Sequence, residues 1–273
     1  MIKVVVFISG GILPVLALAT IPTIFYAFMQ SNMEYAISLI VLALLTISIS
    51  YLIKKFVLPT RQLTTIQGFG AVGLSWIFMS LFGTIPYVLS GIDLGYTNIF
   101  FETVSGLTTT GSSILTDIEA VDKSLLIWRS TTQWLGGMGV IVLTITILPL
   151  LGSGGINLFK AESPGPSADR LTPKFKDTAK LLWIVYISLT ILETILLYYS
   201  GLNIFDAFNH SLTTLSTGGF STFNTSVSEF STLSKFIINI FMYLAGTSFI
   251  LLLKTIRSRS LGEFFKSTEF LFY

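Results

Sequence analysis

A short hydroxyl-rich stretch, SGLTTTGSSIL at residues 105–115, interrupts a chain that is otherwise strongly apolar. A second one, SLTTLSTGGF, lies at residues 211–220. Both contain Thr, Ser and Gly but no Asp, Glu, Lys, Arg or Cys. Acid–base and nucleophilic catalysis need a reactive side chain beside its activating partner. Hydroxyl and backbone carbonyl oxygens can instead replace the water around an ion. The residue types therefore favour ion coordination over catalysis.

The composition places these stretches in a membrane protein. Of 273 residues, 52% are hydrophobic and only 11% are charged, whereas soluble domains carry about 25% charge. The net charge of +2 is too small to indicate a nucleic-acid partner. The absence of cysteine and the single histidine exclude disulfides, thiolate metal sites and histidine clusters. We expect an all-α polytopic membrane protein that contacts lipid and is not an enzyme.

Six apolar runs are long enough to cross a hydrocarbon core, which needs roughly 20 residues per helix. They cover residues 4–29, 35–57, 68–91, 125–151, 180–200 and 233–253. The first run is longer than the apolar region of a signal peptide, the alternative reading of this segment, so we expect it to be retained. Basic residues cluster after the second and fourth runs and at the end of the chain, which predicts a cytoplasmic N-terminus.

The two hydroxyl-rich stretches belong to an internal repeat. The copies are NIFFETVSGLTTTG at residues 98–111 and NIFDAFNHSLTTLSTGG at residues 203–219. Each follows one apolar run and precedes another, and neither is long enough to cross the membrane. Counting along both copies pairs Gly111 with Gly218 and Glu102 with Asn209. The predicted organisation is two leading helices followed by two helix–pore-loop–helix repeats. A loop at the membrane surface is the alternative for either copy alone.

Irregular backbone at membrane depth must be buried in protein or line a watery cavity. The polar ends of the two segments, here called the first tip (residues 108–112) and the second tip (residues 216–220), would therefore face a shared pathway. The C-terminal end of the short helix before each tip carries partial negative charge, which favours a cation. Oxygen ligands without carboxylates suit a monovalent cation better than Ca²⁺ or Mg²⁺.

At these residues the chain resembles the TrkH branch of the Trk/Ktr/HKT potassium-transporter superfamily. The matching passages occur in family order and span nearly the whole chain. They are FFETVSGLTTTGSS, LLIWRSTTQWLGGMGVIVLTITILPLLG, KAESPGPSADRLTPKFKDTAKLLW and FDAFNHSLTTLSTGGFST. The resemblance implies potassium uptake across the cytoplasmic membrane through a carbonyl-lined selectivity filter. It also implies gating by a cytosolic nucleotide-binding regulatory subunit. K⁺ is the transported ion, and no organic cofactor is expected.

The resemblance also assigns residues and segments. The implied ion-coordinating residues are Thr109, Thr110, Gly111, Ser216, Thr217 and Gly218, with Thr108, Ser112 and Gly219 at the filter edges. The implied segments are two leading helices (1–60), a first pore unit (61–160), a cytoplasmic linker (161–178), a second pore unit (179–259) and the start of a third (260–273).

Family members carry four pore units in one chain, whereas this sequence holds two. The sequence is therefore interpreted as a truncated part of a four-unit pore. The alternatives are a half that pairs with a second polypeptide, a homodimer, and a structural or assembly subunit without transport of its own.

Four further polar residues receive supporting roles. Glu102 is expected to lie at the N-terminal end of the first short helix, where the helix dipole stabilises a negative charge. Arg129 is expected to form a surface ion pair with Asp122. Glu193, within the fifth apolar run, is expected to hydrogen-bond the neighbouring short helix, because ionisable groups at that depth need partners. His210 is expected to support the second short helix.

Overall fold

The computed structural model describes residues 2–57, 65–151, 175–258, 260 and 262–272. This part of the chain is helical and contains no strand. Its helices are α1 (Ile2–Gly10), α2 (Leu13–Ala19), α3 (Ile21–Met29), α4 (Met33–Phe56), α5 (Thr65–Gly83), α6 (Ile85–Leu89), α7 (Tyr96–Leu107), α8 (Lys123–Leu151), α9 (Phe175–Tyr199), α10 (Ile204–Leu215), α11 (Thr232–Gly246), α12 (Phe249–Ser258), α13 (Gly262–Lys266) and α14 (Thr268–Phe272).

Four segments are long and apolar enough to cross a membrane: Val5–Met29, Met33–Phe56, Gln67–Leu89 and Lys180–Tyr199. They coincide with the first, second, third and fifth predicted runs. The fourth run forms α8, whose 29 residues are also long enough. The all-α, multi-pass architecture predicted from the sequence is therefore confirmed.

The sixth predicted run is not one continuous helix. The chain bends by 103° between Thr232–Gly246 and Leu251–Ser258. α11 ends at Gly246, a poor helix former, and the next residue, Thr247, has extended backbone (φ −81°, ψ 155°). The Thr247 hydroxyl donates to the Leu244 carbonyl at 2.6 Å, which satisfies a carbonyl at the helix end.

Two of the predicted segments can be compared only in part with the described residues. Most of the predicted cytoplasmic linker, residues 161–174, lies outside them. The last four linker residues already belong to α9, which begins at Phe175. The predicted start of a third unit forms the short helices α13 and α14.

The short helices α7 and α10 have twelve residues each, so they are about 18 Å long and cannot cross a hydrocarbon core. Asn203 caps α10 by accepting the Asp206 backbone N–H at 2.9 Å. Gly95, with φ +70°, precedes α7 and needs the backbone freedom of glycine. Both short helices pack against α8.

Aromatic side chains fix α8 against its neighbours. The buried Trp128 donates its indole N–H to the Gly83 carbonyl at 3.1 Å, which joins α8 to the end of α5. Trp134 stacks on Tyr186 of α9 with 5.3 Å between ring centroids. Such a pair contributes roughly 0.5–1.5 kcal/mol beyond the area that it buries. α8 is thus the central element around which both short helices and their tips are arranged.

Candidate functional site: two tips on a shared helix

The GGMG sequence of α8 lets both tips approach the helix backbone. A β-carbon on Gly136 would overlap the Leu107 carbonyl oxygen at the end of α7. A β-carbon on Gly137 would lie 2.8 Å from the Cα of Ser216, the first residue of the second tip. Consecutive glycines therefore contact the two tips, one each. Any larger residue at either position would push a tip away from α8.

The first tip is a tight turn that reverses out of α7. Thr109 and Gly111 both have positive φ, +54° and +75°. The Thr110 backbone N–H donates to the Ser105 carbonyl at 3.0 Å, which closes the helix end. The Ser105 hydroxyl donates to the Ser112 carbonyl at 2.6 Å, which fixes the last residue of the tip against α7.

The second tip repeats this backbone pattern. Thr217 and Gly219 have positive φ, +56° and +77°. The backbone N–H groups of Gly218 and Gly219 both donate to the Thr213 carbonyl, at 3.0 and 3.2 Å. A non-glycine residue with positive φ is uncommon. Thr has this conformation at the second residue after both helices, so the two tips share one backbone conformation.

The equivalence predicted by counting residues is wrong by one position. In the structure the fourth residue after each short helix is the glycine with positive φ, so Gly111 matches Gly219 and not Gly218. The second tip has two adjacent glycines, and counting selected the first. The left-handed backbone, which favours glycine, identifies the second one.

The side chains follow the corrected register. The Ser113 hydroxyl donates to Glu102 at 3.0 Å, and the Ser221 hydroxyl bonds His210 Nε2 at 3.1 Å. In each copy the hydroxyl eleven residues further along the chain meets the polar side chain of the short helix. Glu102 therefore corresponds to His210, and the predicted match with Asn209 is wrong.

The two tips touch each other at their glycines. A β-carbon on Gly111 would overlap the Gly218 carbonyl oxygen. Behind this contact lies Gln133 of α8, which is fully buried and whose Oε1 accepts the Phe220 backbone N–H at 3.0 Å. The Gly218 carbonyl oxygen of the second tip thus lies against Gly111 of the first tip.

A buried ion pair anchors the irregular segments that follow both tips. Arg129 Nε lies 2.7 Å from Glu102 Oε1, and both side chains are almost completely buried. The same carboxylate accepts the Ser113 hydroxyl and the Ile114 backbone N–H, each at 3.0 Å. Arg129 also donates through Nη1 to the Ser221 carbonyl at 2.9 Å. One guanidinium therefore connects α7, α8 and the segment that follows the second tip.

Two predicted supporting roles are corrected by this pair. Glu102 lies in the middle of α7 and not at its N-terminal end. Asp122 accepts the Ser124 backbone N–H at 2.8 Å at the start of α8, while Arg129 pairs with Glu102 and stacks 3.6 Å from the Phe220 ring centroid. A charge in an apolar helix is costly without a partner, and here the partner is buried with it.

His210 supports the second short helix, as the sequence predicts, and also bonds the residue that follows the second tip. Its Nδ1 lies 2.8 Å from the Asp206 carbonyl, which can only accept, so Nδ1 carries the proton. Nε2 is then free to accept the Ser221 hydroxyl. Asp206 also accepts the Thr222 hydroxyl at 2.6 Å. Hydrogen bonds of His210 and Asp206 thus secure this short helix.

Glu193 is completely buried in α9. The Thr214 side chain of α10 is its polar neighbour. Neither carboxylate oxygen of Glu193 has a hydrogen-bond partner among the described residues. Glu193 therefore lies beside the short helix, as predicted, but the predicted hydrogen bond to that helix is not formed.

Outside the tips, Asn224 joins the two loops that continue from them. Its Oδ1 accepts the Ile118 N–H at 2.7 Å, its backbone N–H donates to Glu119 at 3.1 Å, and its Nδ2 donates to Asp117 at 2.9 Å. The bond from Asn224 is the main reason that the pKa of Asp117 is held below its usual value. The loops after the tips are therefore attached to each other as well.

The structure brings together the residues predicted to bind an ion. Five of them are exposed: Thr108, Thr110, Ser112, Thr217 and Gly219. Thr109, Gly111 and Gly218 are half-buried, and Ser216 is buried. The sequence did not predict the bonds from Gln133 and Arg129 to the end of the second tip and the residue after it. Nor did it predict the bonds by which Asn224 joins the two loops. The available signal was the polar RSTTQ sequence at the start of an apolar helix, because polar groups at that depth need buried partners.

Comparison with known proteins identifies the family of the chain. A family model described as TrkH, cation transport protein, matches residues 23–271. The Trk system potassium uptake protein TrkH of Halomonas elongata is 35% identical over 98% of this chain and 56% of its own length. The corresponding TrkH of Escherichia coli K12 is 39% identical over 77% of this chain and 44% of its own length.

A solved structure has the same fold. The crystal structure of the potassium transporter TrkH from Vibrio parahaemolyticus aligns with a TM-score of 0.83 at 28% identity, and covers 99% of this chain and 55% of that chain. The chain spans about half the length of the curated relatives that it matches. Because the family model covers most of the sequence, the chain belongs to the TrkH family of cation transport proteins.

Proposed function

We propose that the chain takes part in potassium transport across the cytoplasmic membrane as part of a pore whose selectivity filter includes the two tips. The observation that carries the proposal is the contact between two tips of matching backbone at Gly111 and Gly218. Two turned segments that lie in contact and carry hydroxyl and main-chain oxygens are suited to replace the hydration shell of a monovalent cation. The family membership and the naming of the relatives as potassium uptake proteins support the same conclusion.

The coordinating residues remain those predicted, with one refinement from the observed register. Thr109, Thr110 and Gly111 correspond in backbone position to Thr217, Gly218 and Gly219. Gly219 therefore joins the proposed coordinating set. Ser216, the C-cap residue that follows α10, takes an edge position like that of Thr108, the C-cap residue that follows α7.

Two tips supply only part of a ring around an ion. A cavity of about 570 Å³ lies beside the second tip, between Thr217, Gly218 and Gly219 on one side and Ile238 and Met242 of α11 on the other. Beside the first tip, the corresponding space next to α8 is filled by the second tip. We propose that a further tip occupies the cavity, supplied by a second pore half or by a homodimer partner.

The proposed setting follows from the family and from the charge distribution. The chain would lie in the cytoplasmic membrane with its N-terminus inside the cell, and would contact lipid through its exposed apolar side chains. A cytosolic nucleotide-binding regulatory subunit is the proposed gating partner. The proposed division into two leading helices and two pore units follows the predicted boundaries, with α9 starting at Phe175.

Complementation tests the proposal. The chain is expressed in a bacterial strain that lacks potassium uptake, alone and together with the C-terminal half of the Escherichia coli TrkH. We expect growth at limiting K⁺ with the two halves together, and loss of that growth with Gly111→Val. Gly91→Val is the matched control, because Gly91 also has positive φ but has no atom near its β-carbon position.

A structural or assembly subunit is the second candidate. For such a subunit, growth would not depend on Gly111 in cells where both variants reach the membrane in equal amount. Absence of growth when both wild-type halves are present at normal abundance would contradict the transport proposal.

A further inference from the structure

Gln133 is an α8 side chain that bonds to the backbone of the second tip while also facing the first. It is completely buried, and its Oε1 accepts the Phe220 N–H at 3.0 Å. Phe220 is the last residue of the second tip. The side chain therefore links the helix that packs on the first tip to the backbone of the second.

The other end of the Gln133 side chain has no partner among the described residues. Nε2 is buried and makes no hydrogen bond, although a buried donor is normally paired. It would lie 3.7 Å from a β-carbon on Gly111 and 2.6 Å from one on Gly218. The Gly218 carbonyl oxygen borders the same position beside Gly111. The amide NH₂ is thus placed where the two tips meet.

Gly218 is a glycine because of Gln133 and not because of its backbone. Its φ is not positive, unlike that of Gly111 and Gly219. A β-carbon at Gly218 would instead collide with the Gln133 side-chain amide, including Oε1 at 2.6 Å. The second of two adjacent glycines is required by conformation, and the first by the space that Gln133 occupies.

We propose that Gln133 is a positioning residue that sets the spacing between the two tips and thereby the discrimination between K⁺ and Na⁺. The inference rests on the proposed transport function and deepens it. Na⁺ is smaller than K⁺, so oxygens must move inward to replace its water. A buried amide packed behind the contact between the tips and bonded to one of them opposes that movement. Selectivity in such filters depends on the positions and number of the oxygens.

Two substitutions separate positioning from general stability in the transport assay. Gln133→Met keeps a long flexible side chain but removes both hydrogen-bonding ends. Gln133→Glu keeps the acceptor for Phe220 and replaces the NH₂ by an oxygen that repels the tip carbonyls. With the two halves expressed together, we expect the ratio of K⁺ to Na⁺ uptake to fall roughly threefold to tenfold with Met, and further with Glu. Gln30→Glu, in an exposed loop, is the matched control.

An unchanged uptake ratio in both Gln133 variants, at wild-type abundance, would overturn the proposal. Failure of wild-type uptake would instead contradict the proposed function, and a second measurement then still tests the role of Gln133. In the purified chain, Gly218→Ala is expected to lower Tm by roughly 4 °C or more, because of the collision with Gln133. Combined with Gln133→Ser, it should cost less than the sum of the two single variants.

The control cycle pairs Gln133→Ser with Gly73→Ala, because Gly73 has no atom near its β-carbon position. Those two changes should add. Additive costs for Gly218→Ala and Gln133→Ser as well would show that the amide does not fill the space beside Gly218, and would overturn the inference independently of transport.

Discussion

The two tips have the same backbone but are held by different chemistry. Glu102 in α7 corresponds to His210 in α10, and each hydrogen-bonds the serine directly after its tip. The first position uses a carboxylate paired with Arg129. The second uses a histidine that bonds a backbone carbonyl and a hydroxyl. The comparison shows that the turn itself, and not one particular side chain beneath it, is the repeated feature.

The difference also makes the two tips unequally dependent on each other. Arg129 belongs to α8 and pairs with Glu102 beneath the first tip, yet it donates to Ser221 just after the second tip and stacks on the Phe220 ring. No cation from α11 is recorded in an equivalent contact among the described residues. Damage to the charged anchor of the first tip should therefore disturb both tips, whereas damage to the histidine anchor should remain local.

The largest effect is expected from breaking the ion pair. Arg129→Met leaves Glu102 as a buried, unpaired charge, and losing one partner of a buried pair costs roughly 3–5 kcal/mol. We expect a large drop in the thermal stability of the purified protein. The double change Glu102→Gln with Arg129→Met should recover most of that loss, because no lone charge remains.

The control for this prediction is Lys266→Met, which removes an exposed ion pair of the same 2.7 Å length with Glu263. It should have little effect, since exposed pairs contribute little. If the double variant were as unstable as Arg129→Met alone, the lost contacts to Ser221 and Phe220 would explain the damage better than the lone charge.

The glycines that turn the tips should differ in a second, smaller way. Gly111→Ala and Gly219→Ala both force a side chain into left-handed backbone, at a cost of about 1–2 kcal/mol. At Gly111 the new methyl group would also overlap the Gly218 carbonyl, whereas no atom lies within 4 Å at Gly219. Gly111→Ala should therefore be the more destabilising change and should also reduce uptake more.

Gly91→Ala measures the backbone cost alone, because Gly91 has φ +73° and open space around it. Its loss in Tm should match that of Gly219→Ala. Equal losses at Gly111 and Gly219 would mean that the tips can separate far enough to admit a methyl group at no cost, contrary to the proposed close contact.

The sequence predicted the architecture because an apolar run of membrane-spanning length directly predicts a transmembrane helix. It did not predict the break after α11, which depends on local conformations at Gly246 and Thr247. Nor did it predict the exact repeat register. Two adjacent glycines satisfy the same residue count, and only the backbone φ separates Gly218 from Gly219.

The tips were predicted because hydroxyls and glycines are conspicuous in an apolar chain, but their supports were not. Glu102 and Arg129 are 27 residues apart, and Gln133 and Phe220 are 87 apart. Such contacts follow from how α8 passes the tips. Treating Arg129 as an intramembrane charge that needs a buried partner would have suggested Glu102, the nearest preceding acid in another apolar segment.

The smallest effect concerns the equivalent serines. Ser221→Ala removes the hydroxyl that bonds His210 and accepts the Phe223 N–H in a buried position, so it should cost about 0.5–1.5 kcal/mol. Ser113→Ala removes the bond to Glu102, but Ser113 is exposed and water can replace it. The measured Tm should therefore fall more for Ser221→Ala, although its partner is neutral and the partner of Ser113 is charged. The reverse order would mean that the charge on Glu102 outweighs burial in holding a tip.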